Sequence, residues 1–273
     1  MATYEEVQAV GYYILGNLED ICNELGIKMV LQSGTCLGAV RHNGFIPWDD
    51  DIDVMMTYRD YKKLRKYFVK KGNKINDLSL SDFATDPQTP YCLPKIRYNK
   101  SRIIGVLSDE LEMLSGIGLD IFIYSYKSNN PKGFEIQKKL FGLTQMLHEK
   151  YLHRKYIRKG ILSENVIYNY PINVFANKAP DWVRILTIKL FQNIIAFLGS
   201  KKSKKYFAMT SYITVQPTPD CSIFDETIRH RFGEREFNIP KDYDRYLRTN
   251  YGDDYMTPIA AQHLNIEQME IFD

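Results

Sequence analysis

Cysteine is scarce in this 273-residue chain and poorly placed to hold metal. Cys22, Cys36, Cys92 and Cys221 form no C-x-x-C pair, and the five histidines stand at no zinc spacing from them. Neither a structural zinc site nor a disulfide framework is expected, and the thiols read as idle in a reducing cytoplasm. An excess of one charge is also missing. The 36 Lys+Arg and 33 Asp+Glu leave a net +3, too little for a dedicated nucleic-acid binder. No stretch of 18 apolar residues is free of charge, so no transmembrane helix is expected. The opening MATYEEVQAV lacks the basic region and apolar run of a signal peptide. Hydrophobic residues at 44% and charged residues at 25% exclude a disordered or collagen-like chain.

What is present begins with helical periodicity. Val7, Val10, Ile14, Leu18, Ile21 and Leu25 predict a helix over 4–26 that stops at Gly26. Lys28–Gln32 reads as a strand, Ser33-Gly34-Thr35 as a break, and Leu37–Arg41 as the start of a short helix. Tyr58–Lys71 reads as an amphipathic helix. Leu93–Tyr98 and Ser101–Leu107 are predicted to pair through Asn99-Lys100, and Gly118–Tyr124 is a third strand. Helical patterns dominate from about 130 to 205, and the tail is mixed.

The segment with chemistry is 33–56, SGTCLGAVRHNGFIPWDDDIDVMM. Asp49, Asp50, Asp51 and Asp53 fall within five residues, and on a strand 49, 51 and 53 would share one face. Carboxylates so crowded repel one another unless a cation intervenes, and oxygen-only ligands suit Mg²⁺ or Mn²⁺. A solvated acidic run is the plainer reading, but Ile52, Val54 and Phe45-Ile-Pro-Trp48 give this run an apolar setting. An EF-hand is excluded, since Val54 stands where the loop needs Gly and Asp60 where it needs Glu. The D-x-D of metal-dependent glycosyltransferases is satisfied, though many unrelated chains satisfy it. Small residues at Ser33, Gly34 and Thr35 would let backbone N–H groups approach a phosphate, or form an ordinary turn. Arg41 and His42 are placed to clamp a diphosphate. Asp120, in Leu119-Asp-Ile-Phe122, supplies one more carboxylate from a later strand.

This order resembles the nucleotidyltransferase fold, and the block GTCLGAVRHNGFIPWDDDIDVMM resembles the signature of the LicD family. That family includes bacterial phosphocholine transferases, with animal fukutin-related ribitol-phosphate transferases as distant relatives. Gly118-Leu-Asp-Ile-Phe122 is similar to its second block. Phe237–Leu247, Tyr251–Pro258 and His263 are similar to its C-terminal block. The resemblance implies an α+β fold, a mixed sheet flanked by helices. Its catalytic core would span 1–129, with a helical insertion over 130–210 and a completing part over 211–273. It implies Asp51, Asp53 and Asp120 as catalytic, metal-binding carboxylates with Asp49 as a further ligand. Gly34, Thr35 and Arg41 become phosphate contacts, with Ser33, His42 and Lys95 beside them as candidates. Zinc sites of the animal relatives have no cysteine cluster to match here.

The implied reaction uses CDP-choline or another CDP-alcohol. A hydroxyl of a glycan, teichoic acid or lipopolysaccharide and in some cases lipid-linked, attacks phosphorus and CMP leaves. The alternatives are nucleotidyl or D-x-D glycosyl transfer on the same scaffold, or a metal-dependent binding module without catalysis. Choline recognition would rest on aromatic faces, and Tyr91, Tyr98, Tyr124, Tyr126, Tyr251 and Tyr255 are candidates. The apolar run Trp182–Leu198 with Lys201, Lys202, Lys204 and Lys205 after it makes 182–205 a candidate peripheral membrane contact. A core helix with a solvated basic end is the plainer reading of it. The expected location is cytoplasmic, with the inner face of the membrane as the place where such a contact would act.

Overall fold

The computed structural model describes residues 2–89, 92–104, 114–158, 180–210, 222–258 and 269–272, apart from the side chains of 148–158 and 222–223. Tyr91, His263 and the end of the expected strand 101–107 lie outside them. Helix α1 (Tyr4–Leu25) starts at a capping box, in which Thr3 accepts the Glu6 N–H and Glu6 returns to the Thr3 N–H. It ends where the periodicity ends, at Gly26 with φ 58°. Strand β1 (Val30–Leu31), helix α2 (Ser33–His42), strand β2 (Asp53–Thr57) and helix α3 (Tyr58–Lys70) follow. Thr57 caps α3 by accepting the Asp60 N–H.

Then come β3 (Leu78–Ser81), β4 (Lys95–Tyr98), β5 (Ser101–Ile103) and β6 (Gly118–Tyr126). Two long helices, α4 (Pro131–Arg158) and α5 (Asp181–Leu198), pack together, and β7 (Tyr206–Ala208) returns to the sheet. The remainder is α6 (Ser222–Asp225), the hairpin β8 (Thr227–Phe232) and β9 (Arg235–Pro240), α7 (Tyr243–Tyr251) and β10 (Met269–Ile271). The central sheet runs β1-β2-β6-β4-β3, with β7 also on β6. Among the described strands, only β2 and β6 pair in parallel. The mixed sheet and flanking helices make the fold α+β. Val54, Met55 and Met56 of β2 and Leu119, Ile121 and Ile123 of β6 join Ile14, Leu15 and Leu18 of α1 in one core.

Three local expectations need correction. Among the described residues, 93–98 and 101–103 do not pair with each other as strands. Both edges of β4 are taken, by β3 and β6, so β5 finds its partner in β10. Ser33-Gly34-Thr35 is not a turn ahead of a helix but the first turn of α2 itself. The acidic run does not lie on a strand either. Of its four carboxylates only Asp53 lies on β2, and 49–52 form the irregular approach between the turn at 47–48 and that strand.

Candidate functional site

The sheet sets four polar side chains in a row. β4 places Lys95 opposite Asp120 of β6, and β6 places Asp120 opposite Asp53 of β2. Gln32, just past β1, donates its N–H to the Asp53 carbonyl at 3.0 Å and extends the row. Register partners on adjacent strands present their side chains to the same face, on backbones about 4.8 Å apart. Lys95 Nζ lies 2.7 Å from Asp120 Oδ1, an ion pair across the two strands.

The charge on this row is undercompensated. Burial, and then the charges of Asp120, Asp51 and Asp49, push the Asp53 carboxyl up to about 7, with Lys95 opposing. Burial also raises Asp120, with Lys95 opposing it most strongly. Asp49 is pushed up to about 6 by burial and Asp51. Among the described residues, Asp49, Asp50 and Asp51 are the group whose ligand atoms lie within 4.8 Å of one another. Asp51, Asp53 and Asp120 are therefore less tightly gathered than that trio, although Asp53 feels both of the others. The donor set is hard oxygen, partly desolvated and mutually repelling, and so suits a divalent ion of the Mg²⁺ type.

Helix α2 fixes the other wall. Thr35 is buried, and its Oγ accepts the Asp53 N–H at 2.8 Å, tying the first turn of α2 to the first residue of β2. Ser33, at φ 50°, gives its N–H to the Tyr246 hydroxyl at 2.9 Å. A Cβ on Gly34 would stand 2.9 Å from Asp49 Oδ2, so the carboxylate can seat there only because the residue is glycine. At the other end of α2, Arg41 donates to the Tyr255 carbonyl at 2.8 Å and to His42 Nδ1 at 3.4 Å. Burial and the adjacent Arg41 hold His42 below the ordinary imidazole range.

The C-terminal block thus closes over α2. Tyr251, 40% exposed, sits in the field of Asp53, Asp49 and Arg41, and its hydroxyl is raised mainly by burial. Tyr124 touches the row but is buried, and Tyr126 lies farther along β6. Tyr124 is in the core, where its hydroxyl accepts from Gln32 Nε2 at 3.1 Å. Tyr126 stacks on Tyr206 with centroids 5.1 Å apart. Six residues along β6 separate it from Asp120, about 20 Å at the usual rise. Tyr98 packs edge-on against Tyr13, and Tyr255 donates to Asp244. Sequence reasoning passed over three residues here. Asp50 was set aside by a strand alternation that the irregular segment 49–52 does not obey. Gln32 and Tyr246 carry no sequence signal, since only the fold brings them to α2 and β2.

Residues 26–106 match the family model described as LicD/FKTN/FKRP, nucleotidyltransferase domain. Over 251 residues the chain is 26% identical to the lipopolysaccharide cholinephosphotransferase LicD of Haemophilus influenzae, covering 92% of this chain and 91% of that protein. It is also 34% identical over 67 residues to an uncharacterized protein of Rickettsia typhi, covering 23% of this chain and 22% of that one. A similar protein of Rickettsia prowazekii is 41% identical over 49 residues, 18% of each chain. The domain model thus matches the signature block, and similarity to the LicD relative extends along nearly the whole length of the chain.

Proposed function

We propose that this protein is a phosphotransferase that moves phosphocholine, or a similar phospho-alcohol, from a CDP-activated donor to a hydroxyl of a cell-surface glycan, releasing CMP. The observation that carries this reading is the juxtaposition of Asp53 and Asp120 on the parallel pair β2–β6, next to the Asp49–Asp51 cluster. The LicD relative, a lipopolysaccharide cholinephosphotransferase, supports the choline group and a glycan acceptor.

Asp53, Asp51 and Asp120, with Asp49 beside them, would hold Mg²⁺ or Mn²⁺. Bound divalent ions would neutralise the diphosphate and polarise the phosphorus under attack. The chain's own residues do the rest. Asp120 would face the incoming hydroxyl and accept its proton, with Lys95 beside it opposing the rise that burial gives its carboxyl. The first turn of α2, at Ser33, Gly34 and Thr35, offers its positive end to the phosphates. Arg41 and His42 stand at the far end of α2, under the Tyr251–Tyr255 segment, to meet charge on the nucleotide side. Tyr251 offers a half-exposed aromatic face beside the acidic row, where a quaternary ammonium would be held.

The test is release of CMP by purified protein with Mg²⁺ or Mn²⁺ and a panel of CDP-choline, CDP-ribitol and CDP-glycerol, with a glycan acceptor present. CMP and phosphocholine-modified acceptor are expected from CDP-choline. Pyrophosphate or a nucleoside diphosphate as the product would replace this reading with nucleotidyl or glycosyl transfer.

A further inference from the structure

Helix α5 is turned the wrong way round for a core helix. Its inward face carries Arg184 at 0% exposure and Gln192 at 4%, together with Ile188 and Ile195. Its outward face carries Trp182 at 64%, Leu186, Leu190 and Phe197 at 87%. These positions recur at helical spacing along one stripe. Asn193 interrupts the stripe and accepts from Tyr58 and Lys62 of α3. An apolar stripe in water is a cost unless something covers it.

The charge next to the stripe says what covers it. Lys201, Lys202, Lys204 and Lys205 follow Phe197 within eight residues, and all four are exposed. None pairs with a carboxylate among the described residues. At the same end, a cleft of about 450 Å³ is walled by Lys201, Tyr126, Tyr206 and the ion pair of Lys63 with Asp60. Apolar side chains ending in unpaired lysines are complementary to a lipid surface with anionic head groups, the acyl region taking the stripe and the head groups taking the lysines. No helix among the described residues is long and apolar enough to cross a membrane, so the contact is one of lying on the surface.

We infer that α5 with its basic end, Trp182–Lys205, docks this protein onto an anionic lipid bilayer. The inference stands on the helix's own faces and does not depend on the reaction proposed above.

The experiment is flotation of the full chain with vesicles of phosphatidylglycerol and phosphatidylcholine, against phosphatidylcholine alone, at low and high salt. Tryptophan emission and light scattering of the free protein are recorded in parallel. Wild type is expected to float with the anionic vesicles, less so at high salt, and its emission to shift to the blue. Trp182→Phe should remove that shift while flotation persists. Leu186→Gln with Leu190→Gln and Phe197→Gln changes only exposed positions. It should weaken flotation by about tenfold or more with unchanged thermal unfolding, as should Lys→Gln at 201, 202, 204 and 205 together. No flotation of wild type at low salt would overturn the inference. So would equal flotation of the glutamine variants, or a stripe that proves to bury itself in a dimer those variants dissociate while vesicles stay unbound.

Discussion

Asp53 and Asp120 are direct register partners on β2 and β6, and the N–H of Asp120 donates to the carbonyl of Ile52 at 2.8 Å. Two carboxylates 67 positions apart in the chain are thereby fixed side by side by backbone hydrogen bonds rather than by side-chain contacts. Their mutual repulsion, felt in the raised Asp53 carboxyl, is built into the sheet.

Replacing either carboxylate should separate activity from stability. Asp53→Asn and Asp120→Asn are each expected to abolish CMP release while leaving the metal-free fold as stable as wild type or more so, because a repelling charge is removed. Circular dichroism melts and CMP release measure the two halves. An Asp53→Asn variant with more than about a tenth of wild-type turnover would refute the metal assignment.

Stability of the metal-free protein should fall as pH rises from about 4 to about 7. Asp49 and Asp53 titrate near 6 and 7 in the fold, against 3.8 for an ordinary carboxyl. Through that window the folded state holds more protons than the unfolded state, so raising the pH favours unfolding, by a few kcal/mol at most. In chelator, Tm should drop across this range, and Asp53→Asn should flatten the drop. Mg²⁺ or Mn²⁺ should restore Tm near neutral pH, and less so under acid conditions where protons compete for the same oxygens. A Tm that climbs from pH 5 to 7 in chelator would count against the raised carboxyls.

Gly34→Ala tests the close approach of α2 to Asp49. The new Cβ would meet Asp49 Oδ2 at 2.9 Å, and a flexible carboxylate can swing away. Thermal stability should change little, while kcat/KM should fall by about tenfold or more because the displaced oxygen belongs to the acidic cluster. Equal losses of fold and activity would mean that the backbone, not the carboxylate, gave way.

Tyr251→Leu separates choline from the nucleotide. If the half-exposed ring meets a quaternary ammonium, the substitution should weaken CDP-choline by about 0.5–2 kcal/mol and leave CMP binding nearly unchanged. Isothermal titration with both ligands reads the difference directly. Equal weakening of the two would place Tyr251 on the nucleotide instead.

Tyr246→Phe removes the acceptor of the Ser33 N–H. The loss leaves a backbone donor without its partner at the start of α2 and should cost about 1–3 kcal/mol in urea unfolding. Phosphate affinity should drop with it, because Ser33 and Gly34 lose their anchor.

Much of the candidate site was legible because its residues are close in sequence. The acidic run, the small residues Ser33–Thr35 and Arg41–His42 all fall within 21 residues, and Asp120 was visible as a polar residue inside an apolar strand. The helix over 4–26 was legible from end to end, through its periodicity and Gly26. Strand pairing was not. The expected hairpin through Asn99-Lys100 failed because the two edges of β4 were claimed by strands about 20 residues away on either side, and nothing local announces that.

The amino-acid sequence alone determined which groups are available: a cluster of carboxylates in an apolar setting, three small residues at 33–35 and an apolar run over 182–198 with lysines after it. Only the tertiary structure decided what those groups face. Parallel pairing of β2 with β6 put Asp120 against Asp53, and the return of α7 brought Tyr246 to Ser33 and Tyr251 to the acidic row. It also turned Trp182 and Phe197 outward and Arg184 inward. Periodicity marks the faces of an element, but which face is buried depends on what packs against it, and that is settled by contacts between residues far apart in the chain.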